Sequence, residues 1–250
     1  MRNITQTVNN SFVFSSKRKP ITRVALGEKV KIQTLDTFGN KIIYNREDSL
    51  NEISESLNPL IGPIYIESAE PGDTLIVEII DISPARDWAV SIMDPSIGGL
   101  TSKDVSIPTV KKAWFYKLIN NHLVHDSKLN FPWKPFIGTM ATAPVSEEIS
   151  SLKAFENGGN MDVPETKPGN VVYLPISVPG GYFYIGDCHA NQGEGEVSGF
   201  ALEISAEITI KFELLKSKQI KGPRIESEKE MITVGSADSM EDSTESHIPI

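Results

Sequence analysis

Phe200-Ala201-Leu202-Glu203-Ile204-Ser205-Ala206-Glu207-Ile208-Thr209-Ile210-Lys211-Phe212-Glu213-Leu214 alternates without a slip. The even-numbered residues, Phe200 to Leu214, are all apolar. The odd-numbered ones, Ala201 to Glu213, are small, polar or charged. A period of two marks a half-buried strand, here with its even-numbered face toward the core. At about 3.3 Å per residue the run reaches roughly 50 Å, well past the usual strand. It is therefore expected to bend and serve two sheets, or to close a barrel.

Outward from this run the same pattern recurs in shorter pieces. Thr74 to Asp81 puts Leu75, Val77 and Ile79 on one face and Ile76, Glu78 and Ile80 on the other, after the turn Glu70-Pro71-Gly72-Asp73. Val30 to Leu35, Ile42 to Tyr44, Ile64 to Glu67, Ala113 to Ile119, Val171 to Pro175 and Tyr182 to Ile185 read as further strands bounded by Gly, Pro, Asn or Asp. Helical candidates are short: Ser49 to Leu57, and Glu147 to Phe155 behind Ser146 as a cap. The expected fold class is mainly β, a sandwich or barrel-like architecture with a few short helices. One domain is expected over residues 1–235, with room for two β-rich subdomains, followed by a loose polar tail over 236–250.

The chain has 250 residues, enough to bury a core without disulfide or metal staples. Lys+Arg 24 against Asp+Glu 33 gives a net charge of −9, which repels phosphate backbones and anionic lipid surfaces. Nucleic acid and membrane are therefore not expected partners, and no apolar run is long enough to span a bilayer. The start, MRNITQTVNN, lacks the apolar stretch of a secretory signal, so a cytoplasmic location is expected. Cys188 is the only cysteine, which leaves His, Asp and Glu to hold any metal.

The chemistry-bearing residues crowd into loops. Asp187 to Glu196 holds Asp187, His189, Gln192, Glu194 and Glu196, with Gly193 and Gly195 permitting sharp turns. Imidazole and carboxylates together suit a hard or borderline divalent ion. The bland alternative makes His189 a hydrogen-bonded loop histidine and Glu196 a strand-edge carboxylate. The spacing Gly193-x-Gly195-x-x-x-Gly199 is wrong for a dinucleotide loop and leads into a strand. No phosphate loop, His-Glu-x-x-His or Gly-x-Ser-x-Gly occurs.

The string Gly186-Asp187-Cys188-His189-Ala190-Asn191-Gln192-Gly193-Glu194-Gly195-Glu196-Val197-Ser198-Gly199 resembles the pattern GD-x-HA-x-QG-(D/E)-GE-V-x-G of the acetamidase/formamidase family. Gly62 to Glu67, Ala69 to Leu75, Gly159-Asn160-Met161-Asp162, Thr34-Leu35-Asp36, Pro135 to Gly138 and Ala143-Pro144 match other family motifs, so the likeness covers about Phe14 to Gly235. It implies a β-rich fold, a homodimer or larger homo-oligomer, a divalent metal as in several members, and hydrolysis of small amides such as formamide and acetamide to the acid and ammonia. The mixed oxygen and nitrogen donors admit Zn²⁺, Ca²⁺ or Mn²⁺, with Zn²⁺ and Ca²⁺ foremost. Members commonly continue into a helical C-terminal segment, whereas this sequence stops soon after Val234-Gly235, which is expected to weaken assembly or site closure. Ser68 and Met140-Ala141-Thr142 depart from glycine-rich family stretches.

Carried over by position, the resemblance points to Asp36, Asp162, Asp187, His189 and Glu196 as the polar cluster. We assign the metal to His189, Asp36 and Asp162, with Asp187 and Glu196 catalytic. Glu196 is expected to take a proton from water and return it to the departing nitrogen. Gln192, Gly180 and Gly181 are assigned to substrate, the two glycines through backbone N–H groups facing an oxyanion. Cys188 stands as a rival nucleophile, and a non-catalytic homologue with a structural Ca²⁺ site as a rival function.

Overall fold

A computed structural model of the chain describes residues 1–5, 10–53, 56–95, 97–99, 111–126 and 128–245. Among the described residues the strands form a seven-stranded sheet, an eleven-stranded sheet and a separate pair. In the smaller sheet Arg2–Thr5, Lys29–Gln33, Ala206–Leu215, Thr74–Pro84, Val171–Pro175, Arg224–Glu226 and Met231–Thr233 lie side by side in that order. In the larger, Leu129–Pro132, His122–His125, Lys112–Ile119, Trp88–Met93, Glu203–Ile204, Phe183–His189, Phe136–Ala141, Gly158–Asn160 and Ala154–Phe155 follow one another. Ile61–Ile66 also pairs with Phe183–His189, and Thr22–Val24 pairs with Ile61–Ile66.

The alternating run does serve both sheets. Glu203–Ile204 pairs within the larger one, against Phe183–His189 and Trp88–Met93. Ala206–Leu215 pairs within the smaller one, against Lys29–Gln33 and Thr74–Pro84. The crossing falls at Ser205, whose carbonyl accepts the Ala85 N–H at 2.9 Å. On the even face Ile204, Ala206, Ile208, Ile210 and Phe212 are fully buried. Phe212 meets Phe183 of the other sheet edge-on, centroids 5.0 Å apart, so the two sheets share one apolar core, as in a sandwich.

Thr74–Pro84 continues past the expected end at Asp81 and carries a bulge. Asp81 pairs with Thr209 and Ile79 with Ile210, which leaves Ile80 unmatched. The extra residue moves the buried face from Leu75, Val77 and Ile79 to Ile82, so one strand stays apolar inward through a change of phase.

Three expectations are corrected. Glu147 to Phe155 is not helical: Glu148–Ser150 pairs with Val13–Ser15, and Ala154–Phe155 with Gly158–Asn160. Ile42 to Tyr44 is not a strand; Ile42 is buried and Tyr44 packs against Trp88 and Phe115, so these residues are apolar because they cover a small core. The helix of Ser49 to Leu57 is a 3-10 segment over Glu47–Glu52, and residues 54–55 lie outside the described ones. In the tail an exposed helix spans Met240–Glu245, while residues 246–250 fall outside the description. Among the described residues no helix is long and apolar enough to cross a membrane.

Candidate active site

Phe183–His189 sits inside the larger sheet and is buried along its whole length. Phe183 and Ile185 belong to the central core, and strict alternation would send Asp187 and His189 there too. Cys188 takes that place instead. Asp187 has φ 53°, a left-handed conformation that Asp tolerates better than most residues. The reversal turns Asp187 and His189 together toward a group of carboxylates. Asn58 (φ 54°), Asp162 (φ 51°) and Glu196 (φ 44°), which stand around them, share that unusual backbone, and such conformations concentrate at functional sites.

His189 is 1% exposed, and both of its nitrogens are occupied differently. Its Nδ1 faces Gln192 Oε1 at 2.8 Å, and Gln192 Nε2 donates to the Asp162 carbonyl at 2.9 Å. Because the amide nitrogen is committed to a carbonyl, the amide oxygen must face the ring, and Nδ1 carries the proton. Nε2 then looks at Asp187 Oδ1 at 3.4 Å and Glu203 Oε2 at 3.5 Å. The Phe136 ring closes the imidazole edgewise at 4.9 Å.

The carboxylates are each held by one oxygen. Asn58 Nδ2 donates to Asp187 Oδ2 at 3.1 Å, and Asn160 Nδ2 donates to Asp162 Oδ2 at 2.8 Å. Asn58 Nδ2 also donates to Asn160 Oδ1 at 2.6 Å, joining the two amides. The Ala201 N–H donates to Glu203 Oε1 at 2.9 Å. The opposite oxygens, Asp162 Oδ1, Asp187 Oδ1 and Glu203 Oε2, are buried without a hydrogen-bond partner. Unpartnered buried carboxylate oxygens are costly, and two of these, on Asp187 and Glu203, stand beside one imidazole nitrogen.

That donor set fits a cation. Ligand atoms of Asp162, Asp187 and His189 lie within 4.8 Å of one another, as do those of His189, Glu196 and Glu203. Gly138 leaves the room: a Cβ there would stand 2.7 Å from Asp162 Oδ1 and 3.0 Å from Asp187 Oδ2. Burial, then the charge of Asp187, pushes the Asp162 carboxyl up to about 8. Burial also raises Glu196, against the pull of His189. Glu203 is raised well above the usual carboxylate range, again chiefly by burial. For His189 burial works downward, but Glu203 and Asp187 outweigh it and raise the imidazole well above its usual value. A cation among these groups would relieve the same repulsion without the extra protons.

Asp187, Glu196 and Glu203 line a cavity of about 300 Å³ together with Asn58, Asn160 and Thr37 and the apolar Leu57, Ile97, Leu152 and Phe200.

Several sequence assignments change. Asp36 is fully buried but belongs to neither ligand set: Oδ1 accepts the Phe38 and Asn40 N–H groups, and Oδ2 pairs with Arg86 Nη1 at 2.7 Å. It shapes a turn and anchors Arg86, whose Nη2 donates to the Glu203 carbonyl at 3.2 Å. Gly180 and Gly181 precede the far end of Phe183–His189, about 20 Å from His189 at strand rise. Their N–H groups already donate to the carbonyls of Ala69 and Val178, which removes them as oxyanion donors. Gln192 orients His189 and does not line this cavity. Cys188 is fully buried, and burial pushes its thiol up to about 12, leaving no useful thiolate near neutrality. Glu203, Asn58, Asn160 and Gly138 were missed. Glu203 hid in the polar face of the alternating run, where only its small neighbours Ala201 and Ser205 distinguish it from Glu207 and Glu213.

The Acetamidase/Formamidase family pattern matches residues 14–154 and 149–234. The chain belongs to the Acetamidase/Formamidase family. Every residue of the carboxylate and imidazole cluster falls inside the stretch shared with the Acetamidase/Formamidase family. The crystal structure of acetamidase from Yersinia enterocolitica superposes with a TM-score of 0.91 at 34% identity, covering 98% of this chain and 77% of that one. Acetamidase from Bacillus halodurans gives 0.89 at 30% identity, covering 96% and 80%. Formamidase of Methylophilus methylotrophus is 25% identical over 252 residues, covering 78% of this chain and 61% of its own length. Acetamidase of Mycolicibacterium smegmatis is 25% identical over 253 residues, covering 76% and 62%. The chain thus spans about three fifths of the length of these curated relatives.

Proposed function

We propose that this chain hydrolyses the C–N bond of primary linear amides, R–CO–NH₂, with water to give the carboxylic acid and ammonia. A divalent cation, Zn²⁺ or Ca²⁺, would be held by His189, Asp162 and Asp187, with Glu203 as a further carboxylate. The observation that carries this reading is the pair of unpartnered oxygens of Asp187 and Glu203 beside His189 Nε2, both on residues that line a cavity. The names formamidase and acetamidase borne by relatives support the reaction class. The family resemblance supports a homodimer or larger homo-oligomer.

When bound, the cation supplies positive charge that polarises a carbonyl oxygen and acidifies water. Glu196 lines the cavity, and its raised pKa brings proton exchange closer to neutrality. It takes a proton from the attacking water and returns it to the departing nitrogen, which leaves as ammonia. Asn58 and Asn160 fix the Asp187 and Asp162 carboxylates, and Gln192 keeps the Nε2 lone pair of His189 turned toward them.

Ammonia release from a series of amides, before and after chelation and after reloading with Zn²⁺ or Ca²⁺, tests the reaction. Chelation is expected to abolish release and reloading to restore it. Glu196→Gln is expected to lower turnover by about a hundredfold or more. Release that survives chelation removes the cation, a Glu196→Gln rate within a few fold of the parent removes the proton carrier, and silence toward every amide removes the reaction.

A further inference from the structure

We propose that the apolar wall of this cavity is an acyl pocket, and that the chain prefers primary amides with acyl groups of four to six carbons over formamide and acetamide. The proposal rests on the hydrolytic reading above and specifies its substrate class. It comes from the division of the cavity into two chemistries. Part of the lining is acidic, with Asp187, Glu196 and Glu203. The apolar part of the lining is Leu57, Ile97, Leu152 and Phe200. Phe200 is 8% exposed and packs on Phe38 at 5.3 Å, and Leu57 and Ile97 pack against the same small core, so most of this wall is fixed in place. Leu152 is 48% exposed, so that part of the lining is open to solvent.

The volume decides between small and larger acyl groups. At about 30 Å³ per liquid water, a cavity of about 300 Å³ holds the equivalent of roughly ten waters. Formamide has three heavy atoms and acetamide four. With the amide at the carboxylates, either would leave the apolar wall against water. An unbranched acyl chain of four to six carbons fills more of that volume and sets its methylenes against the apolar lining. Each methylene withdrawn from water is worth about fourfold in affinity, from the usual transfer free energy per CH₂. Acetamide to pentanamide adds three.

The test compares kcat/KM for ammonia release from formamide, acetamide, pentanamide and hexanamide by the cation-loaded protein. Pentanamide is expected to exceed acetamide by about tenfold or more, a discount on the full methylene increment for partial exposure to solvent. Ile97→Phe, which narrows the wall, is expected to reduce the pentanamide-to-acetamide ratio several-fold. The ratio is measured within one preparation and does not depend on how much of the variant is folded. Acetamide equal to or better than pentanamide in the parent, or an unchanged ratio in Ile97→Phe, overturns the acyl pocket while hydrolysis stands. Absence of ammonia from all four overturns the hydrolytic reading and the pocket with it.

Discussion

Gly138 has no side chain because two carboxylates occupy the space. A methyl group 2.7 Å from Asp162 Oδ1 must move either that side chain or the strand Phe136–Ala141 that bears the glycine. Gly138→Ala is accordingly expected to weaken Zn²⁺ or Ca²⁺ binding by about tenfold or more in titration calorimetry, the scale of disturbing groups that orient ligands. Wild-type affinity in the variant would mean that the ion sits elsewhere. At this scale the site was half legible. Asp162, Asp187, His189 and Glu196 lie in a dense polar window or a recognisable motif and do come together. Asp36 shared the motif signal, but its oxygens are spent on a turn and on Arg86. Glu203 gave no signal because alternation tells only which face a side chain takes, and here the polar face is buried too: Ala201, Glu203 and Ser205 are 5%, 1% and 3% exposed.

Among the elements, strands with a clean period of two were readable and pieces with mixed character were not. Val171–Pro175 coincides with its expected bounds, and Lys112–Ile119 starts one residue early. Glu147 to Phe155 had a cap residue and acids in the right places for a helix, but the edge hydrogen bonds offered by Val13–Ser15 and Gly158–Asn160 outweigh local propensity. Phase changes were also invisible, since neither Ile80 in its bulge nor Asp187 at positive φ leaves a compositional mark. The long alternating strand is the element that joins the layers, and Ile210 in its middle is fully buried. Ile210→Ala is expected to lower unfolding free energy by about 2–5 kcal/mol through lost transfer energy and the cavity left behind. Urea denaturation measures this, and a loss below about 1 kcal/mol would mean that the sheets do not close over this position.

For the whole molecule, the cluster links stability to pH. The Asp162 carboxyl stands at about 8 in the fold against an ordinary 3.8, raised first by burial and then by Asp187. Without a cation the folded chain keeps a proton that the unfolded chain has lost. Its stabilising contribution is fully present below about pH 4 and is lost as pH rises through about 8, at a slope of up to about 1.4 kcal/mol per pH unit. With a cation the sign reverses, because its ligands must be deprotonated to bind. The increment that a saturating cation adds to the melting temperature is therefore expected to grow from pH 5 to pH 8. An increment independent of pH would separate cation binding from these carboxylates.

The passage from one sheet to the other at Ser205 also orders events in time. Glu203 belongs to one sheet while the residues just beyond it are committed to the other, and its companions Asn58, Asp162 and His189 arrive from distant parts of the chain. Asp162, Asp187 and His189 all precede the alternating run, but Glu203 takes its place beside His189 only once that run lies across both sheets. Completion of the buried carboxylate group is thus a late step in refolding, after both layers have docked.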